Sequence, residues 1–429
     1  MKKGVPMSLN MRALGAALLA FVLASSDVPA SAQKQTFTRW GWPMPYSHVS
    51  PRSIEWLKSK SWWPLTVAWQ GPFSGENAIN VVMDKQQFLQ KRGLGATFQE
   101  FGNGPAVNES IIAGRAQIGS GGNFPFTTLI DRRVPIVGLA TLAPNLEHCT
   151  VVANDSPIKK LSDFAHAKSP VAVGLVTGSS GEFYFQEAAK ANGVVIGRDV
   201  TLVNMPIADQ LSMPKGVAAV VPWEPSCSIM AEQLHTGRIV DTIFPYNIYQ
   251  GTFYVRSELV KNVPDVVQAI SDAYAETTLW IRLHPEETGK LLAADPQLSQ
   301  FPEPLLEKQT MTYNNLYKPT YIYPFAKFWG EENARIATFL FASKRITHSI
   351  TGAEYQAAYD ESFMRATFKK LGWKVPVEPP FIASTWRGRV GSPPYPTYDN
   401  VSSMKAPQRF PDKSDLTQLW SFDGKSYGP

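Results

Sequence analysis

The sequence predicts an α/β fold arranged in two or three lobes. Three observations lead there. Between Leu65 and Val255 short apolar strands alternate with amphipathic helices, the pattern of a sheet covered by helices. Several of those strands run into loops rich in Gly, Ser or Asn that open the next helix. The length of 429 residues exceeds what one hydrophobic core usually serves.

The elements follow in order. "PLTVAWQ" (64–70) reads as a strand, followed by a glycine-containing turn and a helix over 77–92. "ATFQEF" (96–101) is the next strand, and "GNGPAVNESIIAGR" (102–115) turns into a helix ending at Gly114. "AQIGSGG" (116–122) is a short strand, "NFPFTTLIDRR" (123–133) a helix and "VPIVGLATL" (134–142) a strand. A second set begins near His148: a strand at "CTVVAN" (149–154), a short helix within "SPIKKLSDFA" (156–165), and a strand at "SPVAVGLV" (169–176). "GSSGEFYFQEAAKANG" (178–193) is a helix entered through glycine and serine, and "VTLVNMP" (200–206) a strand. In "GVAAVVPWEP" (216–225) five small or β-branched residues make a strand buried on both faces, which ends at Pro222 and delivers Trp223, Glu224 and Pro225. A helix over 224–237 has Pro225 in its first turn and Gly237 past its end.

Beyond "GTFYVRSELVKN" (251–262) the pattern changes to longer helices. Pro264 opens one that runs to Leu283, with Val267, Ile270, Ala273, Tyr274, Thr277 and Trp280 on one face. Pro285 opens the next, and residues 331–344 and 351–372 supply two more. The flanks 33–63 and 374–429 are rich in proline and aromatic residues and lack periodicity; their many rings argue for irregular coil packed along the body.

Composition excludes several classes. A hydrophobic fraction of 44% and a charged fraction of 18% belong to a soluble globular chain. Lys2, Lys3 and Arg12 precede an apolar run from Ala13 to Ala24, and Ala30-Ser31-Ala32 offers a cleavage site, the order of a secretory signal peptide over 1–32. The expected mature protein starts near Gln33 and is exported and soluble, since nothing later is apolar for long enough to span a bilayer. Removal of the leader lowers the formal charge from +5 to +3, because Lys2, Lys3, Arg12 and Asp27 leave with it. The remaining basic residues are scattered, so no nucleic-acid partner is expected. Cys149 and Cys227 are the only cysteines; in an oxidising compartment they either pair or remain two buried thiols, the simpler reading, and they make no metal site.

Ligands of open α/β sheets bind outside the carboxyl ends of the strands. Five segments fall there: "WQGPFSG", "GNGP", "GSGGNF", "TGSSGEF" and "WEPS". Small residues let the backbone approach a ligand, and the first N–H groups of a helix are donors at its positive end. Such turns also simply suit strand-to-helix connections. "TGSSG" lacks the Gly-Lys-Ser/Thr ending of a phosphate loop, and "GSGGNF" is no dinucleotide fingerprint. Trp223 offers a flat wall and Glu224 a carboxylate at a helix start; either they cap and fill locally, or they meet the ligand. The six histidines pair with no nucleophile and Gly-Ser-Ser-Gly is no nucleophile elbow, so no enzyme is expected.

Over about residues 64–300 the chain resembles the periplasmic solute-binding proteins of ABC importers, within the family that binds nitrate, sulfonates, taurine and thiamin-pyrimidine precursors. The resemblance is carried by "AVNESIIAGRAQIGSGGN", "VVANDSPIKKLSDFAHAKSPVAVG", "TGSSGEFYFQEAAKANGV", "VAAVVPWEPSCSIM" and "VRSELVKNVPDVVQAISDAYAETTLWIRLHPEETGKLLA". It implies a two-lobed periplasmic-binding-protein fold of type II with two crossover hinge strands, near 146–154 and 245–256. Lobe 1 would comprise 64–147 plus 248–373 with the C-terminal helices, and lobe 2 would be 148–247. By position Gln70, Asn103, Ser120, Asn123, Ser179, Ser180, Trp223 and Glu224 become the ligand-contacting set. The implied partners are a small-molecule ligand and an ABC permease in the inner membrane, with a monomeric receptor, no cofactor and no metal. The long aromatic flanks depart from the family pattern and leave a secreted interaction protein on the same fold as an alternative. Glu224 would repel a small oxyanion beside it, which favours a larger organic anion over nitrate: a sulfonate first, then an aromatic carboxylate, then a pyrimidine. The family's enzyme branch, which uses a cysteine-rich motif and iron, does not suit a chain with two cysteines.

Overall fold

The computed structural model describes residues 42, 44–71, 74–142, 148–167, 169–243, 246–247, 249–314, 320–325, 327–373 and 375, and two short strands at 420–422 and 425–427. The expected signal peptide and nearly all of the C-terminal flank lie outside the described residues.

In chain order the first elements are α1 (Pro51–Ser59), β1 (Leu65–Gln70), α2 (Ser74–Lys85), β2 (Ala96–Phe101), α3 (Gly104–Ile112), β3 (Ile118–Gly122), α4 (Asn123–Asp131) and β4 (Ile136–Leu142). Next come β5 (Cys149–Val152), β6 (Val171–Leu175), α5 (Ser180–Ala191), β7 (Val200–Asn204), α6 (Ile207–Gln210), β8 (Ala219–Val221), α7 (Ser226–Ser228) and β9 (Arg238–Thr242). The rest are β10 (Gly251–Arg256), α8 (Ser257–Asn262), α9 (Pro264–Leu283), α10 (Pro285–Ala293), α11 (Glu303–Asn314), β11 (Ile322–Tyr323), α12 (Lys327–Ala342), α13 (Gly352–Ala357), α14 (Ser362–Leu371), β12 (Trp420–Phe422) and β13 (Lys425–Tyr427).

Two mixed sheets organise these elements. The first has the order β11-β4-β10-β3-β1-β2, and the second β7-β6-β8-β5-β9. The chain crosses between them twice, after β4 and again after β9. Parallel pairing of β1 with β2 sets Gln70 level with Phe101, and parallel pairing of β6 with β8 sets Leu175 level with Val221. Strand carboxyl ends are thereby lined up within each sheet. Each sheet has its own apolar cluster, one around Val67, Ile118 and Phe253, the other around Val173, Leu175 and Val221. β8 is buried at every residue, as its run of small and β-branched side chains requires of a central strand.

Three expectations are corrected. The N-terminal flank is not all irregular coil. Ser50 followed by Pro51 is a helix-start signal, and the Ser50 hydroxyl accepts the Ser53 N–H at 3.2 Å to cap α1. The flank is then held to α9 through Asp265, which accepts from Ser50 N at 2.9 Å and from Ser53 Oγ at 2.6 Å. Trp42, Met44, Val49 and Leu57 join the first core. Second, α9 does not bury one face only. Residues from Val266 to Arg282 are buried on nearly every side, because α2, α11 and α14 surround the helix and Tyr46 reaches Glu276 at 2.6 Å. Glu276 also pairs inside the core with Arg92 at 2.6 Å.

Third, the cysteines are not free thiols. Cys149 and Cys227 form a disulfide with a Cα–Cα distance of 6.2 Å. It joins the first residue of β5 to α7, two segments that the sequence separates by 78 residues and the second sheet brings together. Cys149 N also donates to the carbonyl of Pro222, just past the end of β8, at 3.2 Å.

Candidate functional site

A small cleft lies at the carboxyl ends of strands from both sheets. Its walls are Gln70, Asn103, Gly104, Pro105, Gly122, Pro125, Ser179, Ser180 and Trp223, around about 260 Å³ of space. Gln70 ends β1, Asn103 follows β2, Gly122 ends β3, Ser179 follows β6 and Trp223 follows β8. The site is therefore built where five strands of two sheets run out, as the general rule for open α/β sheets demands.

Three helices begin at this cleft. Asn103 caps α3, its Oδ1 accepting Ala106 N–H at 3.0 Å. Gly122 is the N-cap of α4 in extended conformation. Ser179 caps α5: its hydroxyl accepts from Glu182 N at 3.3 Å and donates to Val176 O at 2.7 Å. Glu182 stands in the first turn of α5, where it accepts from Gly178 N at 2.8 Å and pairs with Arg345. The dipoles of the three helices favour negative charge in the cleft, whose walls hold no cation. Of the first-turn N–H groups, those of Ala106, Asn123 and Glu182 are bonded to Asn103 Oδ1, Gln250 O and Ser179 Oγ, and Pro105 and Pro125 have none.

The glycines are required by close approach. A Cβ on Gly104 would lie 2.5 Å from Pro125 Cγ and 2.6 Å from Gln70 Oε1. A Cβ on Gly122 would lie 2.9 Å from Tyr249 Cε2. Larger residues at either place would fill the space that a ligand needs.

Of the eight residues expected to touch a ligand, the structure brings Gln70, Asn103, Ser179, Ser180 and Trp223 together in one wall set. Ser120, Asn123 and Glu224 are not part of it. Ser120 is wholly buried in β3, within 3.4 Å of Asn80 Nδ2. Asn123 points into a polar layer behind the cleft, donating to Asn333 Oδ1 at 3.0 Å, while Asn333 donates to Gln250 Oε1 at 2.7 Å. Glu224 accepts from Ser228 N at 3.0 Å, Ser228 Oγ at 2.8 Å and Gln309 Nε2 at 2.8 Å. Its carboxylate serves the turn into α7 and is held there by neutral donors. The following helix is also shorter than expected: Pro225 precedes α7, and residues 229–233 continue as a π-turn.

Sequence reasoning missed Pro105, Pro125 and the residue behind Ser180. That residue is His148, whose Nε2 is 2.9 Å from Ser180 Oγ. Lying between two strands with no motif around it, His148 carried no signal in the sequence.

Residues 76–288 match the family model described as NMT1/THI5 like. Those residues form an NMT1/THI5-like domain. It holds every cleft residue except Gln70, which lies six positions before it. Among solved structures, the alkanesulfonate-binding protein SsuA from Xanthomonas axonopodis pv. citri, bound to MOPS, aligns with a TM-score of 0.58 at 17% identity, over 69% of this chain and 97% of its own. The periplasmic aliphatic sulphonate binding protein SsuA from Escherichia coli aligns at 0.57 and 20% identity, over 70% and 98%. The periplasmic nitrate-binding protein NrtA from Synechocystis PCC 6803 aligns at 0.57 and 15% identity, over 72% and 88%. The NMT1/THI5-like domain thus sits in a two-lobed periplasmic-binding-protein fold. No curated protein sequence matches the chain.

Proposed function

We infer that the protein is an exported solute receptor that captures a small organic anion between its lobes and delivers it to an ABC permease in the inner membrane. The observation that carries this reading is the convergence of three helix N-termini on one small cleft. Neutral amides and hydroxyls (Gln70, Asn103, Ser179, Ser180) surround it, with Trp223 as a flat wall. Such a site holds an anionic head group through oriented N–H donors, and it sheds the ligand readily because no ion pair must be broken. A short sulfonate is the first candidate for that anion and an aromatic carboxylate the second. The sulfonates named for two of the structural relatives are consistent with that class. Binding is the function in this reading, and the receptor acts as a monomer.

A thermal-shift screen of the exported chain against sulfonates, sulfate esters, nitrate, aromatic acids and pyrimidines tests it. A ligand at a hundred times its Kd stabilises by about 2.7 kcal/mol. The expected response is a Tm rise of several degrees for one sulfonate and none for amines added to the panel as controls. A pyrimidine hit would instead make the protein a precursor binder of the same family, with Trp223 as the stacking wall. A flat response from ligand-free protein would refute the receptor reading and turn attention to an interaction role for the aromatic flanks.

A further inference from the structure

His148 stands behind the cleft wall and touches three parts of it. The residue is fully buried. Its ring centroid is 5.9 Å from that of Trp223 and 5.7 Å from that of Tyr249, and its Nε2 is 2.9 Å from Ser180 Oγ. Ser180 and Trp223 line the cleft directly, and Tyr249 packs on Gly122, which also lines it. His148 arrives on the first crossing between the sheets, where its backbone bridges Trp223, and Tyr249 arrives on the second.

A serine hydroxyl has one proton to give and lone pairs to accept with. If Ser180 gives its proton to Nε2, only lone pairs face the cleft. If Nε2 carries the proton and donates to Oγ, the serine proton is left for a ligand. The imidazole tautomer therefore decides the polarity that Ser180 shows. The field of the cleft favours the second. Ser180 is the first residue of α5, and the dipoles of α3, α4 and α5, which all begin at the cleft, favour negative charge in the space it faces. A hydroxyl that donates into that space adds to the same preference, whereas one that accepts opposes it.

We propose that His148 is a positioning residue: it donates Nε2–H to Ser180 Oγ and so makes the serine hydroxyl a donor aimed into the cleft, selecting ligands whose head group presents acceptor oxygens. The ligand part of this proposal rests on the receptor reading above; the tautomer part does not.

Two measurements separate these parts. Long-range nitrogen–proton correlation spectra of the whole exported protein report the protonation of each imidazole nitrogen, and His148 is identified by the signal lost in His148→Gln. The expected result is a protonated Nε2; an unprotonated Nε2 overturns the proposal whether or not any ligand is known. Calorimetry with ethanesulfonate reads the second part. His148→Phe keeps a ring between Trp223 and Tyr249 but cannot donate, and it should weaken binding by roughly three- to tenfold, the span of one hydrogen bond. Ser180→Ala should weaken it equally, and the double variant should be no weaker than either single one. His148→Gln, which restores an N–H at the same reach, should recover most of the affinity. Wild-type affinity in His148→Phe, or equal losses in the Phe and Gln variants, would show that the ring acts by packing alone and would overturn the proposal. If the wild type itself takes no sulfonate, the receptor reading fails, and the spectrum still decides what His148 does.

Discussion

Removing the Cys149–Cys227 disulfide should cost the protein a large part of its stability, and the size follows from the chain length it closes. The bridge spans a sequence separation of 78. In the chain-entropy description, a loop of that length removes about 15 cal/mol/K from the unfolded ensemble, or about 4.5 kcal/mol at 25 °C. Globular domains are stable by about 5–15 kcal/mol, so the loss is a third or more of the total. Both cysteines are fully buried against Val151, Val220 and Met230, so reduction leaves two thiols in an intact apolar pocket and adds little further penalty. The assay is urea unfolding of protein refolded with and without reductant, with thiol state checked by alkylation and mass spectrometry. At a slope of about 3 kcal/mol/M, the midpoint for the second sheet should fall by about 1.5 M. Oxidised protein should take no alkylating label even in denaturant. A midpoint shift below about 0.3 M in fully reduced protein would refute the entropic reasoning, and labelling of the oxidised protein would refute the bridge itself.

Gly104→Ala should weaken binding at the cleft and also lower the Tm of the ligand-free protein, because its Cβ would stand 2.5 Å from the Pro125 ring and 2.6 Å from Gln70 Oε1; calorimetry with ethanesulfonate on the folded variant reads the first effect, and an unchanged Kd would remove this cleft from the site. Glu276→Ala should destabilise by about 3–5 kcal/mol, since it leaves the Arg92 guanidinium buried without its carboxylate; replacing both Arg92 and Glu276 with apolar residues should recover much of that loss in a denaturation series. The flank should loosen in acid. Burial raises the Asp265 carboxyl, but hydrogen bonds from Ser53 and Ser50 outweigh it and hold its pKa below the ordinary value of 3.8. A folded pKa below the unfolded one contributes stability that is present above the unfolded value and is lost as pH falls through the folded one. Protection of α1 in hydrogen exchange, taken relative to the intrinsic amide rate at each pH, should therefore fall below about pH 4, and Asp265→Asn should hold it at the lower level across pH.

Much of the framework was legible in the sequence because it rests on local rules. Strand β2 and helix α9 lie where the alternation and Pro264 placed them, since apolar periodicity and a proline at a helix start act within a few residues. The loops "GNGP", "GSGG" and "GSS" could be assigned to strand ends and helix starts for the same reason, and the family resemblance supplied the two lobes around them. α1 was legible too, in Ser50-Pro51, but aromatic composition masked it.

What tertiary structure alone decided is which way side chains turn and what lies behind them. Asn123 and Glu224 have the right chemistry and the right sequence position for a cleft. Yet Asn333, from α12, and Gln309, from α11, draw them into buried hydrogen bonds, and nothing local announces partners 210 and 85 residues away. The pairing of Cys149 with Cys227, the pairing of Arg92 with Glu276 and the placing of His148 against Ser180 have the same origin. A sequence specifies helices and strands through neighbours a few residues apart. A buried polar group or thiol takes its partner from whatever element the packing of two sheets sets beside it, and that choice exists only once the chain has folded.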